Sequence, residues 1–355
     1  MEKFNLLKNR ALGLLLIVFT VAFFVSCDNG DDDDGGDETE LLGDWMDRSV
    51  FDGVARGNSA SFTIGDRGYI VGGFDGRTFY DDAWAFDRGL GSEQVDGFWF
   101  RVDSFPGVPR SGAVAFAING RGYVGTGLDE NGELLSDFYE FDPTAGEVVN
   151  GFPMGAWSQI ADFPDPEGRF AGIGFSIGNF GYVGTGSNGS DQKDFWQYDP
   201  ASDAWTQIVG YGGDKRRNAT VFVVNDIAYV GTGENNGQLL NDLYSYDGST
   251  WVRLTDIDIN DDNDVSVLIT NATGFAIDGQ GYIATGDIGA VSGSVFEYTP
   301  EDDSWSQLGG FEGTSREGAI SFSFGDAGYV GLGFLTTSDY FDDLLELVDP
   351  DAEQE

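Results

Sequence analysis

An arginine recurs at one position of a repeated pattern, and its guanidinium group could bind an anionic ligand. In five of six repeats of about 50 residues, an arginine stands 13 residues before a tyrosine: Arg56, Arg110, Arg169, Arg216 and Arg316. Guanidinium groups bind carboxylates through two parallel hydrogen bonds. The pattern predicts that these arginines ring one mouth of an axial channel and bind an anion or a carboxylated sugar.

The same arginines have a second interpretation, as partners of aspartates within each repeat. An aspartate begins the third predicted strand of the same five repeats: Asp82, Asp137, Asp194, Asp242 and Asp343. In the fifth repeat Ile269 and Ser294 replace both residues. Because arginine and aspartate are lost together, the pattern favours ion pairs inside the repeats, and paired guanidinium groups can still offer spare donors to a ligand.

The fifth repeat also carries an acidic insertion with the residue types that bind hard cations. The spacing from Trp251 to Ile269 is 18 residues, against 11 or 12 elsewhere. Its calcium candidates are Asp256, Asp258, Asp261, Asp262 and Asp264. Carboxylate oxygens suit calcium, but the EF-hand register fails because Asn263 stands where glycine is required. The alternative is a solvated acidic loop, which the overall acidity of the chain favours. No other cofactor is expected.

These residues belong to six repeats that predict a closed all-β fold. Six tyrosines and six tryptophans alternate along the chain, but the first tryptophan has no tyrosine before it and the last tyrosine has no tryptophan after it. They are Tyr69, Tyr123, Tyr182, Tyr229, Tyr282 and Tyr329, with Trp45, Trp99, Trp157, Trp205, Trp251 and Trp305. Short aromatic and β-branched runs bounded by glycine, asparagine and aspartate indicate four strands in each repeat. We therefore predict a six-bladed β-propeller in which residues 41–48 pair with residues 344–348, which leaves no free strand edge.

The repeats resemble kelch repeats over residues 41–350. The resemblance rests on the Gly-Tyr strand, on the segment Asp-Phe-Trp-Gln-Tyr-Asp-Pro at 194–200, and on the tryptophan that follows. The double glycine of the family is present only as Gly72-Gly73, while four other repeats have Thr-Gly and the sixth has Leu332-Gly333. The resemblance implies a propeller of the galactose oxidase central-domain-like superfamily.

The composition excludes much of the chemistry found on related propellers. The chain has no histidine and one cysteine, which excludes imidazole-based triads, haem with a histidine ligand and ordinary zinc or copper centres. Galactose oxidase shares the architecture but needs copper, histidines and a cysteine cross-linked to tyrosine. Copper-radical oxidase activity is therefore excluded, and no catalytic residue is assigned.

The first 40 residues differ from the repeats in composition. Residues 1–26 combine a basic start with an apolar run and resemble a bacterial lipoprotein signal peptide, with Phe-Val-Ser-Cys at 24–27 as a loose lipobox. The resemblance implies that Cys27 is the lipidated first residue of the mature protein. Residues 27–40 are acidic and lack apolar side chains after Cys27, as expected of a disordered tether, and residues 41–355 form the propeller domain.

Charge and the N-terminal segment indicate where the protein acts. The net charge is -43, which disfavours nucleic acid and anionic lipid surfaces as partners. An acidic run after the lipidated cysteine resembles the export signal of surface lipoproteins in Bacteroidota. We expect a lipid-anchored, surface-exposed protein of the outer membrane, with its periplasmic face as the second location; the membrane is contacted through the anchor only.

Three functions are compatible with these patterns. The leading interpretation is a non-enzymatic binding or scaffold module that recognises a glycan or a protein through variable loops. The alternative is a sugar mutarotase or epimerase-like enzyme that uses carboxylate and arginine chemistry, and a sialic acid mutarotase is similar in being a six-bladed kelch propeller. Glu130, Glu133 and Glu234 are expected in solvated loops, so no glutamate stands out as a base. The third is a purely structural envelope component.

Overall fold

Antiparallel strands make up the fold of the described chain. The computed structural model describes residues 44–90, 96–259 and 265–348. The chain starts with β1 (Asp44–Val50), and blade I consists of β2 (Ala60–Ile64), β3 (Arg67–Val71), β4 (Ala83–Asp87) and β5 (Phe98–Val102). Blade II consists of β6 (Val114–Ile118), β7 (Arg121–Gly125), β8 (Phe138–Asp142), a hairpin of β9 (Val148–Val149) and β10 (Phe152–Pro153), and β11 (Ala156–Ile160).

Blades III and IV repeat this order. Blade III consists of β12 (Ile173–Ile177), β13 (Phe180–Gly184), β14 (Phe195–Asp199) and β15 (Ala204–Gln207). Blade IV consists of β16 (Thr220–Val224), β17 (Ile227–Gly231), the hairpin β18 (Glu234–Asn235) and β19 (Gln238–Leu239), then β20 (Leu243–Tyr246) and β21 (Trp251–Arg253). A hairpin of β22 (Asp258–Ile259) and β23 (Val265–Ser266) follows.

Blades V and VI complete the ring. Blade V consists of β24 (Thr273–Ile277), β25 (Gln280–Ala284), β26 (Val295–Thr299) and β27 (Ser304–Gln307). Blade VI consists of β28 (Ile320–Ser323), β29 (Gly328–Gly331), the hairpin β30 (Phe334–Thr336) and β31 (Asp339–Tyr340), and β32 (Asp343–Val348). Each blade is a four-stranded sheet, and β1 is the outer strand of blade VI. The predicted all-β, six-bladed architecture is confirmed.

The closure of the ring joins the first described strand to the last. β1 pairs antiparallel with β32, with Trp45 opposite Leu347 and Asp44 opposite Val348. The Trp45 ring packs edge-on against Phe311 at a centroid distance of 4.8 Å. The predicted pairing of the N-terminal strand with the C-terminal blade is therefore confirmed for the described residues, and it removes the free edge that an open ring would leave.

The inner strands combine large and small side chains so that a channel remains along the axis. In β6, Val114, Phe116 and Ile118 are buried, whereas Ala115 and Ala117 are half-buried at the channel. This alternation follows from the two-residue period of a strand. In this strand, large side chains fill the space between blades and small ones face the channel, whereas in blade IV Val221 and Val223 line the channel.

The recurring tryptophans form the contacts between successive blades. An aromatic residue six positions after one tryptophan packs against the next, with centroids 4.8 to 5.4 Å apart: Phe51–Trp99, Phe105–Trp157, Phe163–Trp205, Tyr211–Trp251 and Phe311–Trp45. In the remaining blade Ile257 and Trp305 share one apolar cluster. These aromatic residues pack between the blades, with Trp45, Trp99 and Trp305 buried and Trp157, Trp205 and Trp251 half-buried. No helix in the described ranges has the length and apolarity to cross a membrane.

Candidate functional site

The five repeated arginines lie inside the blades, beneath the connections between the second and third strands. At most 2% of each residue is exposed. Arg110 is typical: its Nη1 and Nη2 donate to the two carboxylate oxygens of Asp137 at 2.7 and 2.8 Å. Nη1 also donates to the carbonyl oxygen of Thr126 at 2.9 Å, and Nε donates to that of Val108 at 3.1 Å. The guanidinium thus fixes three chain segments to one another.

The same ion pair recurs wherever the sequence predicts it. The five pairs are Arg56–Asp82, Arg110–Asp137, Arg169–Asp194, Arg216–Asp242 and Arg316–Asp343. The predicted intrablade pairing is therefore confirmed. Binding of a ligand by these arginines stays a prediction, and their burial supports the structural role.

Two of the paired aspartates have pKa values that reflect this environment. Burial raises the pKa of Asp82 and of Asp194, but hydrogen bonds and the charge of Arg56 or Arg169 outweigh it. The net result is a pKa below the ordinary aspartate value for both carboxyl groups. The ionised pair is the stable form inside the blade.

Blade V replaces its ion pair with apolar packing. Ile269 is fully buried and shares an apolar cluster with Ile257 and Val267, while the Ser294 hydroxyl lies 2.9 Å from that of Ser292. An ion pair replaced on both sides by suitable neutral groups leaves no charge unpaired. The joint loss of arginine and aspartate is accommodated in this way.

The calcium candidates lie in or beside the insertion of the same repeat. Asp256 accepts a 2.6 Å hydrogen bond from Arg253, and Asp258 belongs to β22. Asp261, Asp262 and Asp264 fall outside the described residues. Within the ranges that the structure describes, no group of three or more acidic or thiol side chains could hold a metal ion. Calcium binding by the insertion stays a prediction.

A closed ring of backbone hydrogen bonds surrounds one mouth of the channel. The ring has one residue from each blade, two positions after the buried arginine or Ile269: Asn58, Gly112, Ala171, Asn218, Asn271 and Gly318. Each N–H donates to the carbonyl oxygen of its counterpart in the preceding blade, at 2.9 to 3.1 Å. All six have positive φ, a conformation that asparagine and glycine adopt readily. We call these residues the mouth ring.

A cavity of about 400 Å³ opens at the mouth ring. It continues into a channel cavity of about 380 Å³, because Ser59, Ala113, Gly172 and Ala219 line both. Among the residues that the structure describes, no ionisable side chain lines either cavity. The mouth is therefore walled by neutral groups that can contact a ligand without displacing an ion pair.

Two positions per blade flank the mouth ring, and their residues differ from blade to blade. The residue before each ring residue forms a β-bridge with a residue that stands five positions after the repeated tyrosine. The six bridges are Gly57 with Phe74, Ser111 with Leu128, Phe170 with Ser187, Arg217 with Glu234, Thr270 with Asp287, and Glu317 with Phe334. We call these twelve residues the flanking pairs. Equivalent backbone positions thus carry unlike side chains, of which those of Phe74, Ser111, Leu128 and Phe170 line the mouth cavity.

Blades I to III form an apolar half of the mouth. Phe74, Phe79, Leu128 and Phe170 line the cavity, and the rings of Phe74 and Phe79 lie 4.5 Å apart. Apolar and aromatic surfaces of this kind suit the C–H face of a sugar ring.

The flanking pairs of blades IV to VI form a charged half, whose ionisable side chains do not line the cavity themselves. Arg217 donates from Nε to Glu234 at 3.0 Å and from Nη1 to Asp191 at 3.2 Å. Asn218, a mouth-ring residue, donates to the same Glu234 oxygen at 3.4 Å. The side chain of Glu234 is only 17% exposed. The prediction that Glu234 lies in a solvated loop is wrong, because Glu234 begins β18 and its carboxylate is bonded by Arg217 and Asn218.

Glu317 is the carboxyl group with the most distinctive environment in the charged half. Its Oε2 accepts a 2.9 Å hydrogen bond from Nδ2 of Asn271, which lines the cavity. Burial raises the pKa of Glu317; the Asn271 hydrogen bond opposes this, and the charges of Asp287 and Glu234 raise the pKa further. The net pKa lies above the ordinary glutamate value. Such a carboxyl group can both donate and accept a proton nearer to neutral pH.

Sequence reasoning did not identify Glu317. A signal was present at the position that follows each repeated arginine, or Ile269 in the fifth repeat. Four repeats have an uncharged residue there, whereas the fourth has Arg217 and the sixth has Glu317. Positions that keep the same residue type in each repeat identify the buried ion pairs. This position is informative because its residue type changes from repeat to repeat. Cys27 lies outside the described residues, as do residues 1–40, to which the signal peptide and the tether are assigned.

Comparisons with known proteins bear on the fold and on the choice between functions. No family model matches the sequence. The chain is 34% identical over 109 residues to the N-acetylneuraminate epimerase of Pasteurella multocida (strain Pm70), covering 28% of this chain and 28% of that protein. It is 28% identical over 202 residues to the N-acetylneuraminate epimerase of Haemophilus influenzae (strain 86-028NP), covering 56% of this chain and 45% of that protein. The chain thus spans less than half the length of either relative.

A solved structure supports the architecture, and the two relatives correct the functional interpretation. The structure of YjhT is similar with a TM-score of 0.66 and 15% identity, covering 84% of this chain and 96% of that chain. This likeness shows the propeller fold. The names of the two relatives contradict the leading interpretation of a non-enzymatic binding or scaffold module. They favour the alternative, a sugar mutarotase or epimerase-like enzyme.

Proposed function

We propose that this protein is an enzyme that interconverts stereoisomers of a sugar at its anomeric carbon, at the mouth of the channel. The observation that carries the proposal is Glu317, whose raised pKa suits proton transfer and whose carboxylate is bonded to the cavity-lining Asn271. The partial matches to two proteins named N-acetylneuraminate epimerase support the same reaction class.

The mouth offers what a sugar ring requires on its two sides. Phe74, Leu128 and Phe170 supply an apolar wall, and Asn218 and Asn271 of blades IV and V supply amide donors and acceptors on the other side. An amide has two N–H donors and a carbonyl acceptor, so Asn271 can bond Glu317 and a sugar hydroxyl together. Glu317 thereby lies behind Asn271, one hydrogen bond away from the amide that faces a ligand in the cavity.

Proton transfer by one carboxyl group suffices for the reaction. Ionised Glu317 accepts the proton of the anomeric hydroxyl through one water molecule, and the O–H electron pair forms the carbonyl as the bond from the anomeric carbon to the ring oxygen breaks. The ring oxygen takes up a proton from water. After rotation about the bond next to the carbonyl, the reverse steps close the ring on the other face and return the proton from Glu317. Positioned proton transfer of this kind contributes about 10²- to 10⁴-fold to a rate.

Exchange spectroscopy of reducing sugars tests the proposal. NMR saturation transfer between the anomers of neutral and acidic sugars should show faster exchange with the folded protein than with the same protein after thermal unfolding. The rate should rise with pH through a pKa above the ordinary value of glutamate, because the ionised form accepts the first proton. Exchange at the uncatalysed rate for every sugar would contradict the proposal.

We also propose that the protein is lipid-anchored through Cys27 at the outer membrane. Support comes from the basic and apolar pattern of residues 1–26 and from the acidic segment after the cysteine. A Cys27→Ser variant should lose its acyl chains and leave the membrane fraction or remain uncleaved, while Ser26→Ala should behave as the wild type. Membrane fractionation of Cys27→Ser at the mature size would contradict this proposal.

A further inference from the structure

The charges around the mouth cavity point to the class of sugar that it takes. The cavity wall holds no ionisable side chain, and three carboxyl groups stand in the charged half of the flanking pairs: Glu234, Asp287 and Glu317. We infer that the mouth binds a neutral sugar in preference to an acidic one. The inference rests on the proposed function for the kind of ligand, and it departs from the acid that appears in the names of the two relatives.

The one arginine of the flanking pairs is already neutralised. Arg217 is bonded to Glu234 at 3.0 Å and to Asp191 at 3.2 Å, so its single positive charge faces two negative ones. Asp191 is itself held by the backbone N–H of Asn236 at 2.8 Å. An incoming carboxylate would have to share the single charge of this guanidinium with Glu234 and Asp191.

Among the residues that the structure describes, no other lysine or arginine supplies a positive charge at the cavity wall. Lys193 donates to the carbonyl oxygen of Gly213 at 3.5 Å, and Arg77 and Lys215 are exposed; none of these side chains lines the cavity. The buried Arg56 is enclosed with Asp82 inside blade I. A carboxylate in the mouth would therefore meet no unpaired guanidinium or ammonium group among the residues that line it.

The carboxylates of the charged half stand directly behind the amides that face the cavity. Asn218 bonds Glu234 at 3.4 Å, and Asn271 bonds Glu317 at 2.9 Å. After burial, the charges of Asp287 and Glu234 are what raises the pKa of Glu317, so repulsion between negative charges already acts here. A further negative charge placed within a few ångströms would add to that repulsion.

A neutral sugar finds complementary groups without this repulsion. Asn58, Asn218 and Asn271 present amides, and Ser59 and Ser111 present hydroxyls, at the cavity wall opposite or beside the apolar residues of blades I to III. Neutral donors and acceptors beside apolar surface are the usual features of sites for uncharged polar ligands.

Matched pairs of sugars that differ only in a carboxylate test the inference. Affinities of glucose against glucuronate and galactose against galacturonate are measured by titration calorimetry, together with N-acetylneuraminate. Each neutral sugar should bind at least about tenfold more tightly than its acid, since like charges placed together oppose binding strongly. Equal or tighter binding of the acids, or no binding of any neutral sugar, would overturn the inference.

A charge-changing variant sharpens the test. Glu234→Gln leaves Arg217 with Asp191 as its only carboxylate and should improve glucuronate binding by about tenfold while glucose binding stays within about twofold. Glu301→Gln, an exposed position, makes the same change in net charge and should improve neither. If Glu234→Gln and Glu301→Gln have equal effects on glucuronate binding, the local charges do not set the preference, and the inference fails.

Binding and turnover separate this inference from the proposed function. Anomer exchange measured on the same sugars decides the proposed function, whichever sugars bind. Tight binding of neutral sugars without faster exchange would support the neutral-sugar inference and contradict the enzyme. Faster exchange together with tighter binding of the acidic sugars would support the enzyme and contradict the neutral-sugar inference.

Discussion

Carboxyl groups inside the blades and carboxyl groups at the channel mouth have opposite surroundings. Asp82 lies between the guanidinium of Arg56 and the indole of Trp84, and its pKa lies below the ordinary value because these partners outweigh its burial. Glu317 has one amide donor, and its pKa is raised by burial and by Asp287 and Glu234. The blade interior stabilises the ionised carboxylate, whereas the mouth favours a carboxyl group that exchanges its proton.

This difference follows the repeat pattern. The arginine and aspartate positions hold the same residues in five of six blades, as interactions within each blade require. The flanking pairs hold different residues around the ring. In a repeat protein, positions that recur in every unit serve packing, and positions that differ at a shared cavity can serve chemistry.

Breaking one buried pair should have the largest effect on stability. Asp82→Ala leaves the charge of Arg56 buried without its partner, and such a loss destabilises by about 3–5 kcal/mol. Urea unfolding of Asp82→Ala and of the control Asp81→Ala, at an exposed neighbour, measures the difference. Loss of less than about 1 kcal/mol in Asp82→Ala would show that the pair does not hold the blade together.

Copying blade V into blade I should be less disruptive than breaking the pair. The double variant Arg56→Ile, Asp82→Ser removes both charges, so no buried charge is left unpaired. We expect it to lose less than half the stability that Asp82→Ala loses, because neutral hydrogen bonds and ring contacts are lost but no charge stays buried alone: Arg56 no longer bonds Val54 and Gly72, and Trp84 no longer bonds Asp82. A double-mutant cycle with Arg56→Ile measures the coupling, and losses that simply add would contradict the paired role.

The two kinds of carboxyl group should affect the pH dependence of stability in opposite directions, by smaller amounts. The lowered pKa values of Asp82 and Asp194 contribute stability that is present above the ordinary aspartate pKa and is lost as the pH falls through the lowered values. The raised pKa of Glu317 contributes stability that is present at acid pH and is lost as the pH rises through the raised value.

Thermal melts across this pH range check both signs. Asp194→Asn should flatten the acid limb of the stability curve, and Glu317→Gln should raise stability at neutral pH relative to the wild type. Parallel curves for the wild type and both variants would mean that neither carboxyl group has the described environment.

The repeated features were predictable from the sequence because they leave a periodic signal. The offset of Trp45 from the first tyrosine predicted the pairing of β1 with β32, and the joint loss of arginine and aspartate at Ile269 and Ser294 predicted the ion pairs. These predictions need only the repeat length and the two-residue period of a strand.

The mouth was not predictable in the same way. Arg217 and Glu317 lie 100 residues apart in the sequence, and only the closed ring brings blades IV and VI to one cavity. The raised pKa of Glu317 depends on Asp287 and Glu234, which belong to blades V and IV. The change of residue type directly after the repeated arginine can identify Arg217 and Glu317 in the sequence, but only the fold gives the distances between them.

The most direct test of this account compares Glu317→Gln with Glu312→Gln, a variant of an exposed neighbour with the same change in charge. Anomer exchange and the melting temperature are measured on both proteins at neutral pH. The account predicts that Glu317→Gln slows exchange by about 10²- to 10⁴-fold with an equal or higher melting temperature, and that Glu312→Gln leaves both unchanged. Exchange by folded Glu317→Gln within about twofold of the wild-type rate would contradict the assignment of chemistry to the mouth carboxyl group.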